Sequence, residues 1–188
     1  MKKGCILCLL ISVISLPLIA QNIIYSNLKE LLAQHGDTTA VLRVEKRSRN
    51  QIVLTGGADY RITAGDDELM CRRLKKRCFA VRDEKGDLYL NCRKLRYKKL
   101  RFGAWYAPAV QLGKNIYFCA MPLGSVIGGN FVEEDDVKLG GNIGDALAAS
   151  SLVTKRVCYE LNGETGKVDF LGKDKMLQLL ENYPELKQ

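Results

Sequence analysis

The sequence predicts an α+β fold with a mainly antiparallel sheet. Three observations carry that expectation. Three pairs of β-type runs are separated by short Gly-containing turns, as in hairpins. Apolar residues recur at helical spacing near both ends of the chain. No internal repeat, long linker or low-complexity tract breaks the chain, so hairpins and helices should share one core. The expected layout is an N-terminal helix, a sheet built from hairpins, a Gly-rich middle helix and a short C-terminal helix.

Residues 1–20 come first. Lys2 and Lys3 precede an uncharged apolar run from Gly4 to Ile19, and Ala20 precedes the polar pair Gln21-Asn22. A positive start, a short apolar run and a small residue before a polar start make a secretory signal peptide. A membrane anchor needs about 20 apolar residues, and Pro17 closes a shorter run here. The expected address is therefore periplasmic or extracellular, with no transmembrane segment after cleavage. Removing residues 1–20 from 188 leaves 168, the single globular domain 21–188. Losing Lys2 and Lys3 takes the formal charge from +8 to +6. That balance favours anionic partners in general without choosing one.

The elements then follow in order. Asn22 to Gln34 reads as the first helix, with Tyr25, Ile24, Leu28, Leu31 and Leu32 on one face and Gly36 as its stop. Thr38–Glu45, Gln51–Thr55 and Asp59–Thr63 read as β-type runs, the last two joined through Gly56-Gly57. Asp66–Arg77 is a basic helix or loop. The clearest hairpin pairs 79–83 with 87–91 across Glu84-Lys85-Gly86, so that Val81 faces Tyr89 and Ala80 faces Leu90. The same register sets Cys78 opposite Cys92. A second hairpin joins Trp105–Leu112 to Ile116–Met121 across Gly113-Lys114-Asn115, and a third joins Arg156–Leu161 to Lys167–Leu171. Between them lie a Gly-rich loop, Pro122 to Glu134, the acidic run 133–136 and a helix over Val137–Leu152. Gly140, Gly144 and Ala148 stand four apart, the spacing of close helix packing. The last helix, Asp174–Asn182, should bury Met176, Leu177, Leu180 and Tyr183 before Pro184 ends it.

Cysteine usage bounds the chemistry. Cys71, Cys78, Cys92, Cys119 and Cys158 remain after cleavage, an odd number. Export makes at least one disulfide expected, and at least one thiol stays free, is buried or pairs with another chain. Cys78 and Cys92 are the disulfide candidate, since directly opposed strand residues have Cβ atoms about 4.5–5.5 Å apart. The alternative leaves both as buried thiols. The cysteine spacings fit no zinc pattern and His35 is the only histidine, so neither metal nor cofactor is expected. No Gly-x-Ser-x-Gly frame and no phosphate-binding Gly loop is present. The inventory leans away from an enzyme.

Two basic clusters flank the first hairpin: 72–77, and 93–101 with Arg93, Lys94, Arg96, Lys98, Lys99 and Arg101. Tyr97, Phe102, Trp105 and Tyr106 accompany the second. Basic residues with stackable aromatics fit nucleic acid, but export argues against that partner. An anionic glycan, a lipid headgroup or an acidic protein face suits the same charges. A solvated face with aliphatic stems laid against the sheet needs no partner.

Further segments carry a family resemblance: 89–96 (Tyr89 to Arg96), 105–109 (Trp105 to Ala109), 116–118, Gly128-Gly129, 156–161 and the tail Leu177 to Leu186. They resemble an uncharacterised family of small exported proteins, a domain of unknown function from Bacteroidota-type bacteria. The resemblance implies a signal peptide and one domain, and no activity. The functional expectation is a non-enzymatic exported binding or envelope-associated module with a basic face. The alternatives are a thiol-dependent enzyme or redox protein using an unpaired cysteine, and a structural subunit of an envelope assembly.

Overall fold

The structure is a computed structural model. It describes residues 21–39, 41–48, 50–52, 57–98, 100–120 and 157–184. The expected signal peptide, the Gly-rich loop and the helix over Val137–Leu152 lie outside the described residues.

The molecule is sheet-rich and antiparallel, with helices on both faces of the sheet. β1 (Asn22–Tyr25), β2 (Asp37–Thr39), β5 (Ala80–Arg82), β6 (Leu88–Asn91), β9 (Tyr106–Leu112), β10 (Asn115–Ala120), β11 (Val157–Leu161) and β12 (Val168–Phe170) take the order β12-β11-β10-β9-β6-β5-β1-β2. β3 (Arg43–Lys46) pairs with β4 (Tyr60–Thr63), which meets β9 at Tyr60–Tyr106. β7 (Arg96–Tyr97) and β8 (Leu100–Arg101) form a separate ribbon.

The three hairpins form as expected. Ala80 opposes Leu90 and Val81 opposes Tyr89. Leu161 opposes Val168, with the Asn162 side chain accepting from the Glu164 and Thr165 amides in the loop. The second hairpin is tighter than expected: Leu112 pairs with Asn115 across a two-residue turn, Gly113-Lys114.

Alternation along the strands builds a core on each face. One face holds Tyr25, Leu90, Phe102, Phe118 and Tyr159. Phe102 meets Tyr159 edge-on with ring centroids 4.8 Å apart, and Phe118 stacks on Tyr159 at 5.3 Å. Helix α1 (Leu28–Leu32) packs there through Leu31. The other face carries two clusters. Helix α2 (Glu68–Lys76) buries Leu74 against Ile24, Val81, Tyr89 and Tyr106. Helix α3 (Lys173–Asn182) buries Met176, Leu179 and Leu180 against Tyr117, Cys119 and Cys158.

Several expectations are corrected. The helix over Asn22–Gln34 is a strand followed by the short α1. Ile24 and Tyr25, adjacent and both buried, point to opposite faces of the sheet, which a strand allows. The helix begins only after the Asn27 cap, whose side chain accepts from the Glu30 amide at 3.0 Å. Gly36 is not its stop; a Cβ there would stand 2.7 Å from the Ile24 carbonyl oxygen, so glycine permits the close crossing over β1. The run Thr38–Glu45 is divided between β2 and β3. In the run Gln51–Thr55, Gln51 and Ile52 are helical, because Ser48 and Gln51 cap each other's amides at 2.9 and 3.3 Å. On α3, Leu177 is exposed and Leu179 is buried. At 100° per residue, position 179 lies closer to the face set by 176, 180 and 183.

The disulfide joins Cys119 and Cys158, in-register partners on β10 and β11 with Cα atoms 4.1 Å apart. Cys78 and Cys92 are free buried thiols in the structure. The hairpin register stops before them. Cys92 opens a 3-10 turn, Cys78 donates to the Ala80 carbonyl, and the two pack into cores on opposite faces.

Candidate functional site

The second basic cluster is built around the end of β6. Asn91, 2% exposed, donates to the carbonyls of Leu74 and Cys78 at 3.1 and 2.9 Å. Its Oδ1 accepts from the Arg93 amide at 3.2 Å. The Tyr106 hydroxyl also donates to the Leu74 carbonyl, at 2.8 Å. Carbonyls near a helix C-terminus lack intrahelical donors, so these bonds tie the end of α2 to the turn Cys92–Lys94. Both basic clusters of the sequence therefore meet at this point: Lys75, Lys76 and Arg77 on one side, Arg93 and Lys94 on the other. Arg73 is engaged elsewhere, in an ion pair with Asp37.

From the turn the chain alternates. Leu95 and Tyr97 are buried, while Arg93, Lys94, Arg96 and Lys98 are exposed. Tyr97 anchors the ribbon by packing edge-on against Phe170 at 4.7 Å. Arg96 stands directly opposite Arg101 across the ribbon. Opposed like charges destabilise a strand pair. Lys98 holds φ +51, a conformation that favours glycine, with its ammonium 5.2 Å from the Tyr97 ring centroid. Lys99 lies outside the described residues. Among the described residues, none of Arg93, Lys94, Arg96, Lys98 and Arg101 forms an ion pair. Ion pairs there include Arg73–Asp37, Lys114–Glu164 and Lys175–Glu160.

Of the four aromatics expected to be stackable, Tyr97, Phe102 and Tyr106 are core residues at 7, 5 and 3% exposure. Trp105 is half-buried at φ +77, an outlier for a bulky residue. Its carbonyl accepts from the Cys92 amide at 2.9 Å. The guanidinium carbons of Arg47 and Arg61 lie 4.9 and 5.9 Å from the centre of its ring. Arg47 is itself buried and donates to the carbonyls of Ala58 and Gln51 at 2.7 and 3.0 Å. This Arg47–Trp105–Arg61 group was not legible in the sequence, since Trp105 sits 58 and 44 positions from Arg47 and Arg61 (105 less 47, 105 less 61).

Two further features bear on chemistry. Burial pushes the Cys78 thiol up to about 11 and the Cys92 thiol up to about 12, so both stay protonated at neutral pH. A groove of about 830 Å³ opens beside β6 and β9, lined in part by Tyr60, Arg82, Tyr89, Pro108 and Val110. Burial, with Asp83 and Asp87 nearby, pushes the Tyr89 hydroxyl up. Among the described residues the groove lining holds no Ser, Cys, Lys or His. His35 is exposed. Among the described residues no group of three His, Cys, Asp or Glu could hold a metal ion, and no helix is long and apolar enough to cross a membrane.

No curated protein and no solved structure matches the chain. A family model does match, over residues 23–188. The chain thus belongs to a family of unknown function, DUF6563.

Proposed function

We propose that the protein is an exported, non-enzymatic binding or envelope-associated module that engages an anionic partner through Arg93, Lys94, Arg96, Lys98, Lys99 and Arg101. The observation that carries this reading is the ribbon. Arg96 opposes Arg101, a lysine occupies a left-handed turn position, and among the described residues no acid pairs with Arg93, Lys94, Arg96, Lys98 or Arg101. Each of the first two features costs folding stability. An anionic partner offsets the first by neutralising the opposed charges. The Lys2-Lys3 start with its apolar run supports export, as does the Cys119–Cys158 disulfide, because disulfides persist in oxidising compartments. The buried, protonated state of Cys78 and Cys92 favours this reading over thiol chemistry at those two positions.

The test is charge reversal of Arg93, Lys94, Lys98 and Lys99 together. The expected result is a chain with unchanged circular dichroism that no longer sediments with envelope fractions. Undiminished retention on envelopes overturns the reading.

A further inference from the structure

We propose that the anionic partner is an acidic polysaccharide, bound along a track from the C-terminus of α2 through the Cys92–Lys94 turn to Arg96, Lys98 and Arg101 of the ribbon. The inference rests on the anionic-partner reading above and names the class of partner. Four polyanion classes meet this surface differently.

A protein partner needs an interface core with aromatic or aliphatic anchors. Among its described side chains the track offers none: Leu95 and Tyr97 are spent on the core at 2 and 7% exposure. A bilayer rewards apolar side chains that reach below the headgroups. The exposed large apolar residues among the described side chains are Val41, Leu69, Leu112 and Leu177, none of them between Arg93 and Lys98. Single-stranded nucleic acid is held by bases stacking on aromatic faces. Tyr97, Phe102 and Tyr106 are buried, and Trp105 already carries guanidinium groups against its ring.

What remains is recognition by closely spaced charge alone. Arg93, Lys94, Arg96 and Lys98 project from one short run whose intervening residues, Leu95 and Tyr97, turn inward. Arg101 doubles Arg96 across the ribbon. Asn91 binds the Cys78 carbonyl and the Arg93 amide together, which sets Arg77 at the start of the same track. The backbone at the start of the track is therefore held by the Asn91 hydrogen bonds, while the exposed side chains of Arg93, Lys94, Arg96 and Arg101 can follow a flexible chain. A polymer with a carboxylate or sulfate on successive sugars presents its charge in that form, without a flat base or a hydrocarbon phase.

The experiment compares three probes against the full chain at matched anionic charge and ionic strength: heparin, vesicles of phosphatidylglycerol with phosphatidylcholine, and a short single-stranded DNA. The R96Q/R101Q variant is measured beside it. Heparin is expected to bind tightest. The double variant is expected to lose more than about tenfold in heparin affinity, and its plot of log affinity against log salt should be shallower by about two. Its thermal midpoint should be no lower than that of the parent, since the opposed charges are gone. Tighter binding to vesicles or to DNA overturns the polysaccharide assignment and leaves the anionic-partner reading standing. Absence of binding to all three overturns both. Equal heparin affinity in parent and variant overturns the ribbon as the site.

Discussion

The β5–β6 hairpin and the β7–β8 ribbon are neighbours in sequence, and each makes a tight reversal, yet their turns are built on opposite rules. In the first, Asp83 accepts from the amides of Lys85 and Asp87 at 3.0 and 2.9 Å, and Gly86 takes φ +91. Both strands of that hairpin run through the core. In the second, a lysine takes the left-handed position, and an arginine faces an arginine. One inward residue, Tyr97, is seen holding the ribbon down. The first hairpin satisfies its turn locally. The ribbon instead leans on the rest of the fold while presenting charge. That contrast separates a piece of scaffold from an exposed basic ribbon.

The contrast can be broken, and the largest expected effect is on the scaffold. Cys78 and Cys92 flank the first hairpin, and their folded-state values of about 11 and 12 lie above the usual thiol value of 9.0. The unfolded chain therefore loses these protons first. Stability is intact below about pH 9 and falls as pH rises through about 11, by up to roughly 1.4 kcal/mol per pH unit for each thiol. Urea unfolding at pH 8, 10 and 11, chosen as values on the order of that window, should show the fall. The C78A/C92A variant should show a flatter profile; an equally steep one refutes the assignment to these thiols.

Next in size is the joint between the two regions. Asn91→Ala strips donors from the Leu74 and Cys78 carbonyls and removes the cap of the turn. The expected loss is about 2 kcal/mol. Hydrogen exchange should quicken at the end of α2 and at Arg93 more than at β10. Uniform quickening would show that Asn91 acts on the whole core instead.

A reciprocal pair of turn substitutions sharpens the comparison. Gly86→Ala has open space for its Cβ, so its cost of about 1 kcal/mol comes from φ alone. Lys98→Gly should instead stabilise, by about 0.5 kcal/mol after the added chain entropy. Thermal midpoints should move in opposite directions. The smallest effect is Arg96→Gln, expected to stabilise by a few tenths of a kcal/mol. That gain should vanish in about 1 M salt, where the screening length is near 3 Å. A gain that persists in salt would point to packing rather than repulsion.

Much of the scaffold is legible locally, and more was available than the periodicity conveys. Asn27-x-x-Glu30 and Ser48-x-x-Gln51 are capping pairs visible in the sequence. They mark α1 as starting after Tyr25, and they mark the segment after Ser48 as helical rather than extended. Helical spacing in Ile24, Leu28 and Leu31 conceals the first, because a short strand and a short helix in succession can reproduce it. In the candidate site, the basic residues are plain in the sequence. The inward turn of Tyr97, Phe102 and Tyr106 is not, since burial depends on which strands arrive above them.

The sequence by itself determined the antiparallel hairpins. Asp83 to Gly86, Gly113-Lys114 and Asn162 to Gly166 set backbone directions through bonds and torsions within a few residues. It likewise determined the charge of the 93–101 segment. Only the tertiary structure decided that Asn22–Tyr25 is a strand, since its pairing with Asp37–Thr39 and Ala80–Arg82 outweighs local helical spacing. Only the tertiary structure decided that Cys119 meets Cys158, and that Arg47 and Arg61 gather at Trp105. The reason is distance along the chain. A turn is chosen by its own residues, whereas contacts between residues tens of positions apart are chosen by the order in which strands join the sheet.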